Sequence, residues 1–261
     1  MKFLGSTEAI NQIQTATSLS LFLDYDGTLA DFAPTPDDIL PDTELIELIT
    51  QLADLPNIEI AVISGRRLDH ILMLLPINSI LLAGTYGIEI RTADGRRIDR
   101  LDIQQIRPVL DQLKPMWAKL IDRRKGYYLE DKNWSLALHA RLAEVDDAQF
   151  VLDQAKKISM DLLRDNVFRI LGGDKFLEVA PRIANKGSTI HYLLDRSPLG
   201  SSLPVYVGDD DKDEEAFETI LSLGGVAIKV GGKPRISVAQ LRLKNPQDVR
   251  QWLRSLLPGS H

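Results

Sequence analysis

Apolar positions fall into short blocks that alternate between two spacings along the chain. Leu19 to Leu23 is a short apolar run that stops at Asp24-Tyr25-Asp26-Gly27-Thr28, where two acids and a glycine end a buried strand and open a loop. From Asp42 to Leu55 the apolar residues Leu45, Ile46, Ile49 and Leu52 recur at helical spacing, and the strand-like Ile58 to Ile63 follows, ending at Ser64-Gly65-Arg66. A helix over 68–75 then leads to a third apolar run, Ser79 to Ala83. Strand alternating with helix predicts an α/β fold whose parallel sheet is covered on both faces.

After Gly87 the rhythm changes. Ile88 to Arg91, the turn Ala93-Asp94-Gly95 and Arg97 to Leu101 predict a hairpin, followed by a helix over 103–123. Tyr127 to Glu130 and Trp134 to Ala140 read as strands, 146–163 as a helix, and Phe168 to Leu171 and Phe176 to Val179 as two more strands. The parallel pattern resumes with a helix over 186–194, a strand over 205–207, a helix over 213–221 and a strand over 225–230. The middle segment is therefore expected to be an α+β insert at 88–181, within a discontinuous core formed by 1–87 and 182–258.

Composition narrows the function classes. No stretch of the 261 residues approaches the roughly 20 apolar residues needed to span a bilayer, and no basic, then apolar, leader opens the chain. A cytoplasmic protein, not a membrane partner, is expected. With no cysteine, a disulfide framework and cysteine-ligated zinc or iron–sulfur sites are excluded. Lys and Arg number 31 against 37 Asp and Glu, and the net charge of -6 without a long basic run argues against nucleic acid as a partner. Gly259-Ser260-His261 looks like the stub of a purification tag that adds nothing to the fold.

The chemistry concentrates where strands end. Asp24 and Asp26, two apart at a strand edge, can supply a nucleophile and a nearby proton donor, although two acids and a glycine also simply make a turn. After the strand over 205–207 comes Gly208-Asp209-Asp210-Asp211-Lys212-Asp213-Glu214-Glu215, whose crowded acids repel one another unless a cation or a basic group sits among them, though Asp213, Glu214 and Glu215 also suit the first turn of the next helix. Oxygen ligands point to magnesium, while Glu215 reads better as a first-turn acid of the next helix. Ser64, Gly65 and Arg66 offer a hydroxyl and backbone N–H groups between strand and helix, where an anion is favoured. Lys186 adds a positive charge to hold phosphate.

In that order these segments resemble the motifs of the haloacid dehalogenase superfamily, and within it the trehalose-6-phosphate phosphatase family. Leu23-Asp24-Tyr25-Asp26-Gly27-Thr28-Leu29, Ile63-Ser64-Gly65-Arg66, Lys186, and Gly208-Asp209-Asp210 with Asp213-Glu214-Glu215-Ala216-Phe217 carry the likeness, which runs from about 21 to 230. The resemblance implies a Rossmann-like core with an inserted, mobile cap of the C2 type, hinged near Gly87 and Pro181. It implies that Asp24 attacks phosphorus, Asp26 protonates the sugar oxygen and then activates water, and Ser64 with Lys186 holds the phosphoryl oxygens. Magnesium would be bound by Asp24, the Asp26 carbonyl and Asp209, with Asp210 and Asp213 orienting bound waters. In the cap, Glu130, Lys132, His139, Arg141, Lys175 and Glu178 resemble residues that face a sugar, Lys175 within Gly173-Asp174-Lys175; surface salt bridges are the alternative for the charged residues, and a structural role for His139. Trp134 and Tyr128 are expected in the cap core.

The partner so implied is a small phosphorylated sugar, bound by a monomer. The sequence departs from the family at Tyr86, where histidine is common, and at Ala140, where tyrosine is frequent. Both departures bear on sugar specificity, so another sugar phosphate stays open as substrate: mannosyl-phosphoglycerate, glucosylglycerol phosphate or sucrose phosphate. A phosphosugar mutase shares Asp24 and Asp26, and a silent phosphosugar sensor would have lost one of Asp24, Asp26, Ser64, Lys186 or Asp209, all of which are present.

Overall fold

A computed structural model describes residues 3–32, 39–163, 166–173, 175–197, 199–231 and 236–259. Asp174, Ser260 and His261 lie outside the described residues. The chain divides into two compact units, one made of 1–98 with 185–261 and the other of 99–184. Among the described residues, no helix is long and apolar enough to cross a membrane.

In chain order the first unit begins with β1 (Leu4–Gly5), α1 (Thr7–Thr15), β2 (Leu19–Leu23), α2 (Thr43–Ala53), β3 (Ile58–Ile63), α3 (Leu68–Leu74), β4 (Leu81–Gly84), β5 (Glu89–Arg91) and β6 (Arg97–Asp99). The second unit holds α4 (Ile103–Ile121), β7 (Tyr128–Asp131), β8 (Leu136–His139), α5 (Val145–Leu162), β9 (Phe168–Gly173) and β10 (Phe176–Pro181). The chain then returns to the first unit with α6 (Lys186–Leu194), β11 (Leu203–Gly208), α7 (Glu214–Ser222), β12 (Val226–Val230), β13 (Leu241–Leu243) and α8 (Pro246–Ser255).

The first unit is one sheet in the order β1-β13-β12-β11-β2-β3-β4-β5-β6, parallel from β13 to β4. All five residues of β2 are buried because both faces are covered. Leu19, Leu21 and Leu23 pack with α1, α2, α3 and α8, whereas Phe22 joins Ile190 and Leu193 of α6 and Phe217 and Ile220 of α7. Side chains alternate with a period of two, so the even position feeds the opposite core. The chain steps from β2 outward through β3 and β4, and from β11 outward the other way through β12 and β13. At such a reversal of strand order the loops after the two central strands diverge and leave a crevice at their carboxyl ends. Asp24 and Asp209 are the residues that directly follow those strands.

The hairpin assigned from the sequence to the insert runs as β5–β6 on the edge of this large sheet. Ile90 explains the difference: it packs in the same core as Ile63, Ala83 and Phe217. Gly87, expected near a hinge, is buried inside the first unit, and a Cβ there would overlap the Thr189 side chain. The crossings between the units fall instead at 98/99 and 184/185.

The second unit is an antiparallel sheet, β7-β8-β10-β9. Its α4 packs on α5 and β8, and α5 packs on β10. Trp117 anchors the helix pair, fully buried, with its indole N–H donated to the Ala155 carbonyl at 3.2 Å. Trp134 is buried as expected, but Tyr128 is 40% exposed.

Replacing Trp117 by Ala should destabilise the second unit by about 3–5 kcal/mol, since it leaves a large cavity between α4 and α5. Hydrogen exchange should show protection lost across α4, α5 and β8 while β2 and β11 keep theirs; a loss below about 1 kcal/mol would contradict this packing.

Candidate active site

The loop after β2 is shaped for close approach. Gly27 has a φ of +77°, and a Cβ there would overlap the Asp209 carboxylate, so the strand-end acids of β2 and β11 meet only because residue 27 has no side chain. Asp24 is buried; its Oδ1 accepts from Lys186 Nζ at 2.6 Å and its Oδ2 from Thr28 Oγ1 at 3.3 Å. Lys186 also donates to Asp213 Oδ1 at 2.6 Å, and Tyr206 donates its hydroxyl to the same oxygen at 2.7 Å. The Asp210 N–H donates to Asp213 Oδ2 at 2.8 Å, closing the single helical turn that precedes α7. Lys229, buried on β12, secures that turn with bonds to the Asp210 carbonyl at 2.9 Å and to Glu214 Oε1 at 3.2 Å.

Asp24, Asp209 and Asp213 each offer a carboxylate oxygen within 4.8 Å of the others. Three carboxylates against the single ammonium of Lys186 leave two negative charges uncompensated within the cluster. The imbalance shows in the acidities. Burial pushes Asp24 up to about 7 despite the opposing Lys186, with Asp213 and Asp26 adding to the rise. Burial, then Asp24 and Asp213, push Asp209 well above the usual carboxylate range. Lys186 is raised well above its ordinary value: burial works against the charge, and the two aspartates outweigh it.

These residues fit a hard divalent cation. Every donor is an oxygen, and Asp209 Oδ1 is buried with no hydrogen-bond partner among the described residues. Asp213 has both oxygens engaged by close protein donors, Asp24 has Oδ1 on Lys186 and Oδ2 on the longer contact from Thr28, and Asp209 Oδ1 keeps a free valence. The side chains of Asp26, expected to bind metal through its carbonyl, and of Asp210, expected to orient a bound water, lie outside the carboxylate cluster. Asp210 turns to its own loop, accepting the Asp211 N–H at 2.6 Å with Lys212 at 3.5 Å. Burial works to raise Asp210, but Lys212 and that N–H prevail and hold it low.

Ser64 is buried at the end of β3, and its Oγ accepts the Arg66 N–H at 3.1 Å, which leaves its own hydrogen to donate. The helix expected over 68–75 begins at Leu68, two residues beyond Arg66, and its first N–H is taken by Glu89 Oε2 at 3.2 Å. Gly65 lies against Tyr86, whose hydroxyl would be 2.8 Å from a Cβ at that position. Thr85 and Tyr86 both hold positive φ, at 47° and 56°, bent back so that the Thr85 N–H reaches the Arg66 carbonyl at 2.6 Å and the Tyr86 N–H reaches that of Ser64 at 2.8 Å. Arg66 does not stand ready for an anion: Nε and Nη2 donate to the two oxygens of Asp26 at 2.8 and 2.7 Å.

In the second unit the strand register places Tyr128, His139 and Phe176 in one row of a sheet face, and Glu130, Ala137 and Glu178 in the next. His139 Nε2 lies 2.9 Å from Glu130 Oε2, and Lys132, 3.9 Å from that oxygen, donates to Glu178 Oε1 at 3.1 Å. Ser135 donates to the same Glu178 oxygen at 2.6 Å. Lys175 lies apart from this chain of contacts, its φ at 51° and its ammonium on the Ala143 carbonyl at 2.6 Å, and Arg141 is exposed in the turn after β8. Ala140, whose departure from the family was expected to bear on sugar specificity, is fully buried against Ala143 and Ala148, because residue 140 points away from the face that His139 occupies.

Tyr206, Thr28, Lys229 and Ser135 escaped the sequence reading. Tyr206 and Lys229 sit inside apolar strands and carry no local sign of the acids they meet; Thr28 was legible as part of the loop motif, though not as a partner of Asp24.

The model of the family described as trehalose-phosphatase matches residues 22–247. A probable trehalose-phosphate phosphatase of Sinorhizobium fredii is 32% identical over 240 residues, covering 91% of this chain and 87% of that protein. Trehalose-phosphate phosphatase B of Arabidopsis thaliana is 28% identical over 273 residues, covering 98% of this chain and 72% of that protein. In fold, the chain matches the C-terminal domain of a C. albicans trehalose-6-phosphate phosphatase with a TM-score of 0.84 at 20% identity, covering 96% of each chain. It matches the C-terminal domain of a Candida albicans trehalose synthase regulatory protein with a TM-score of 0.76 at 12% identity, covering 97% of this chain and 98% of that one.

Tyr206→Phe keeps the ring and removes only the bond to Asp213, so urea unfolding should show a loss of about 1.5–3 kcal/mol. A change under about 0.5 kcal/mol would mean that the hydroxyl contributes no bond to a charged acceptor.

Proposed function

This chain belongs to the trehalose-phosphatase family, and we propose that it hydrolyses trehalose 6-phosphate to trehalose and inorganic phosphate through a phosphoryl group carried on Asp24. The observation that carries this reading is the buried Asp24 carboxylate at the strand-order reversal, held by Lys186 at 2.6 Å within a cluster that lacks two positive charges. A nucleophile for phosphorus needs a fixed, desolvated carboxylate beside groups that offset the phosphoryl charge. Magnesium, for which Asp24 and Asp209 supply oxygen donors and Asp213 a supporting carboxylate, would neutralise charge on the phosphoryl oxygens when bound.

The chain's own groups account for the proton and phosphoryl inventory. An Asp24 oxygen bonds to phosphorus as the bond from phosphorus to the sugar oxygen breaks, and the Asp26 carboxyl gives its proton to that oxygen. Water then attacks phosphorus, Asp26 takes the water's proton, and the bond to Asp24 breaks to release phosphate. Ser64 donates its hydroxyl to a phosphoryl oxygen, and Lys186 holds another. On the cap, Glu130, Lys132 and Glu178 offer charged partners for sugar hydroxyls, supported by their arrangement on one sheet face beside Phe176 and Tyr128.

Phosphate release should be measured from trehalose 6-phosphate, sucrose 6-phosphate, glucose 6-phosphate, mannosyl-phosphoglycerate and glucosylglycerol phosphate, with magnesium or with EDTA. Trehalose 6-phosphate should be the preferred substrate, EDTA should abolish its turnover, and Asp24→Asn should reduce it at least about a thousandfold. Preference for another sugar would keep the chemistry and move the substrate; release of no phosphate from any of them would overturn the reading.

A further inference from the structure

Asp26 handles the proton in both halves of the proposed reaction, yet it stands at the edge of the carboxylate cluster and is a quarter exposed. Arg66, forty positions on, grips both of its carboxylate oxygens at 2.7 and 2.8 Å. The arginine is itself fixed. It is 8% exposed, its Nη1 lies 3.1 Å from His70 Nδ1, and its guanidinium carbon is 5.9 Å from the centre of the Tyr25 ring. Its main chain is pinned at both ends, the N–H on Ser64 Oγ at 3.1 Å and the carbonyl receiving the Thr85 N–H at 2.6 Å. The strained Thr85–Tyr86 turn therefore supports a planar fork rather than a free cation.

We infer that Arg66 is a positioning residue that aims the Asp26 carboxyl group at the leaving oxygen and at the attacking water, and is not a ligand of the phosphate. A rigid two-pronged pair fixes both the position and the plane of a carboxylate, which a single donor cannot do. Nε and Nη2 already give one edge of the guanidinium to Asp26, so turning that edge to a phosphate would mean abandoning this geometry. The inference rests on the proposed role of Asp26.

The test compares trehalose 6-phosphate, whose alkoxide needs a proton to leave, with p-nitrophenyl phosphate, whose phenolate leaves without one. For either substrate, kcat/KM reports the steps through the first cleavage of the phosphorus–oxygen bond. Arg66→Met should lower kcat on trehalose 6-phosphate about 100-fold with KM changed less than about threefold, and kcat/KM on p-nitrophenyl phosphate less than about fivefold. Arg66→Lys, which keeps the charge but not the fork, should lose nearly as much, and it carries the test if Arg66→Met does not fold. Arg66→Met combined with Asp26→Asn should be no slower than Asp26→Asn alone. Equal losses on both substrates, expressed in KM, would make Arg66 a phosphate ligand and overturn the inference. Full activity of Arg66→Met alongside an impaired Asp26→Asn would sink the role of Arg66 alone, whereas unimpaired Asp26→Asn would sink the role of Asp26 and this inference with it.

Discussion

The rest of the site depends on one buried ion arrangement, Lys186 held between Asp24 and Asp213 at 2.6 Å on each side. Burying an ammonium is costly, and here it also sits in the first turn of α6, where the helix dipole disfavours positive charge. Only full satisfaction of its partners makes the arrangement tenable. Tyr206, the Asp210 N–H and Lys229 provide it, fixing Asp213 and the turn after β11. Removing any one partner would leave a buried charge exposed to the remaining like charges, which is why so many polar groups are tied to a single lysine.

This arrangement also sets what the site can accept. A carboxylate pushed up by burial is a poor nucleophile while protonated, and a second positive centre next to Asp24 and Asp209 would return both to the ionised form. Under the proposed function, the same acids that repel one another in isolation would together receive a divalent cation and a phosphoryl group. Gly27 makes this possible sterically, by letting the loop after β2 lie against the loop after β11.

Much of the core was legible because its signals are local. The apolar run of β2 ends abruptly in acids, α6 begins at Lys186 where its pattern placed it, and the strand-helix rhythm is strict. What escaped the sequence depends on distant pairing. The three-residue β13 is too short to show a period, α1 and α8 lie outside the motif-bearing stretch, and the hairpin β5–β6 carries no sign of which sheet it will join. Arg66 was legible as a cation beside Ser64 but not as the partner of Asp26, because forty residues separate them and only the packing of β2 beside β3 brings them together. The fate of Ala140 turned on strand parity: a shift of one position moves a side chain from the polar face to the core.

Fold alone does not separate catalyst from regulator, since the same architecture occurs in a domain described as a trehalose synthase regulatory protein. The distinction has to come from side chains that an inactive scaffold has no physical reason to keep. A buried aspartate, a lysine bridging it to a second one, and a third whose Oδ1 has no partner among the described residues cost stability at each position. Packing explains none of these, because an apolar residue of similar volume would serve the core better at each place. An orphaned carboxylate oxygen is tolerated where something else is to be bound, and Lys186, Asp24 and Ser64 nearby are the groups that the proposed phosphoryl transfer would use.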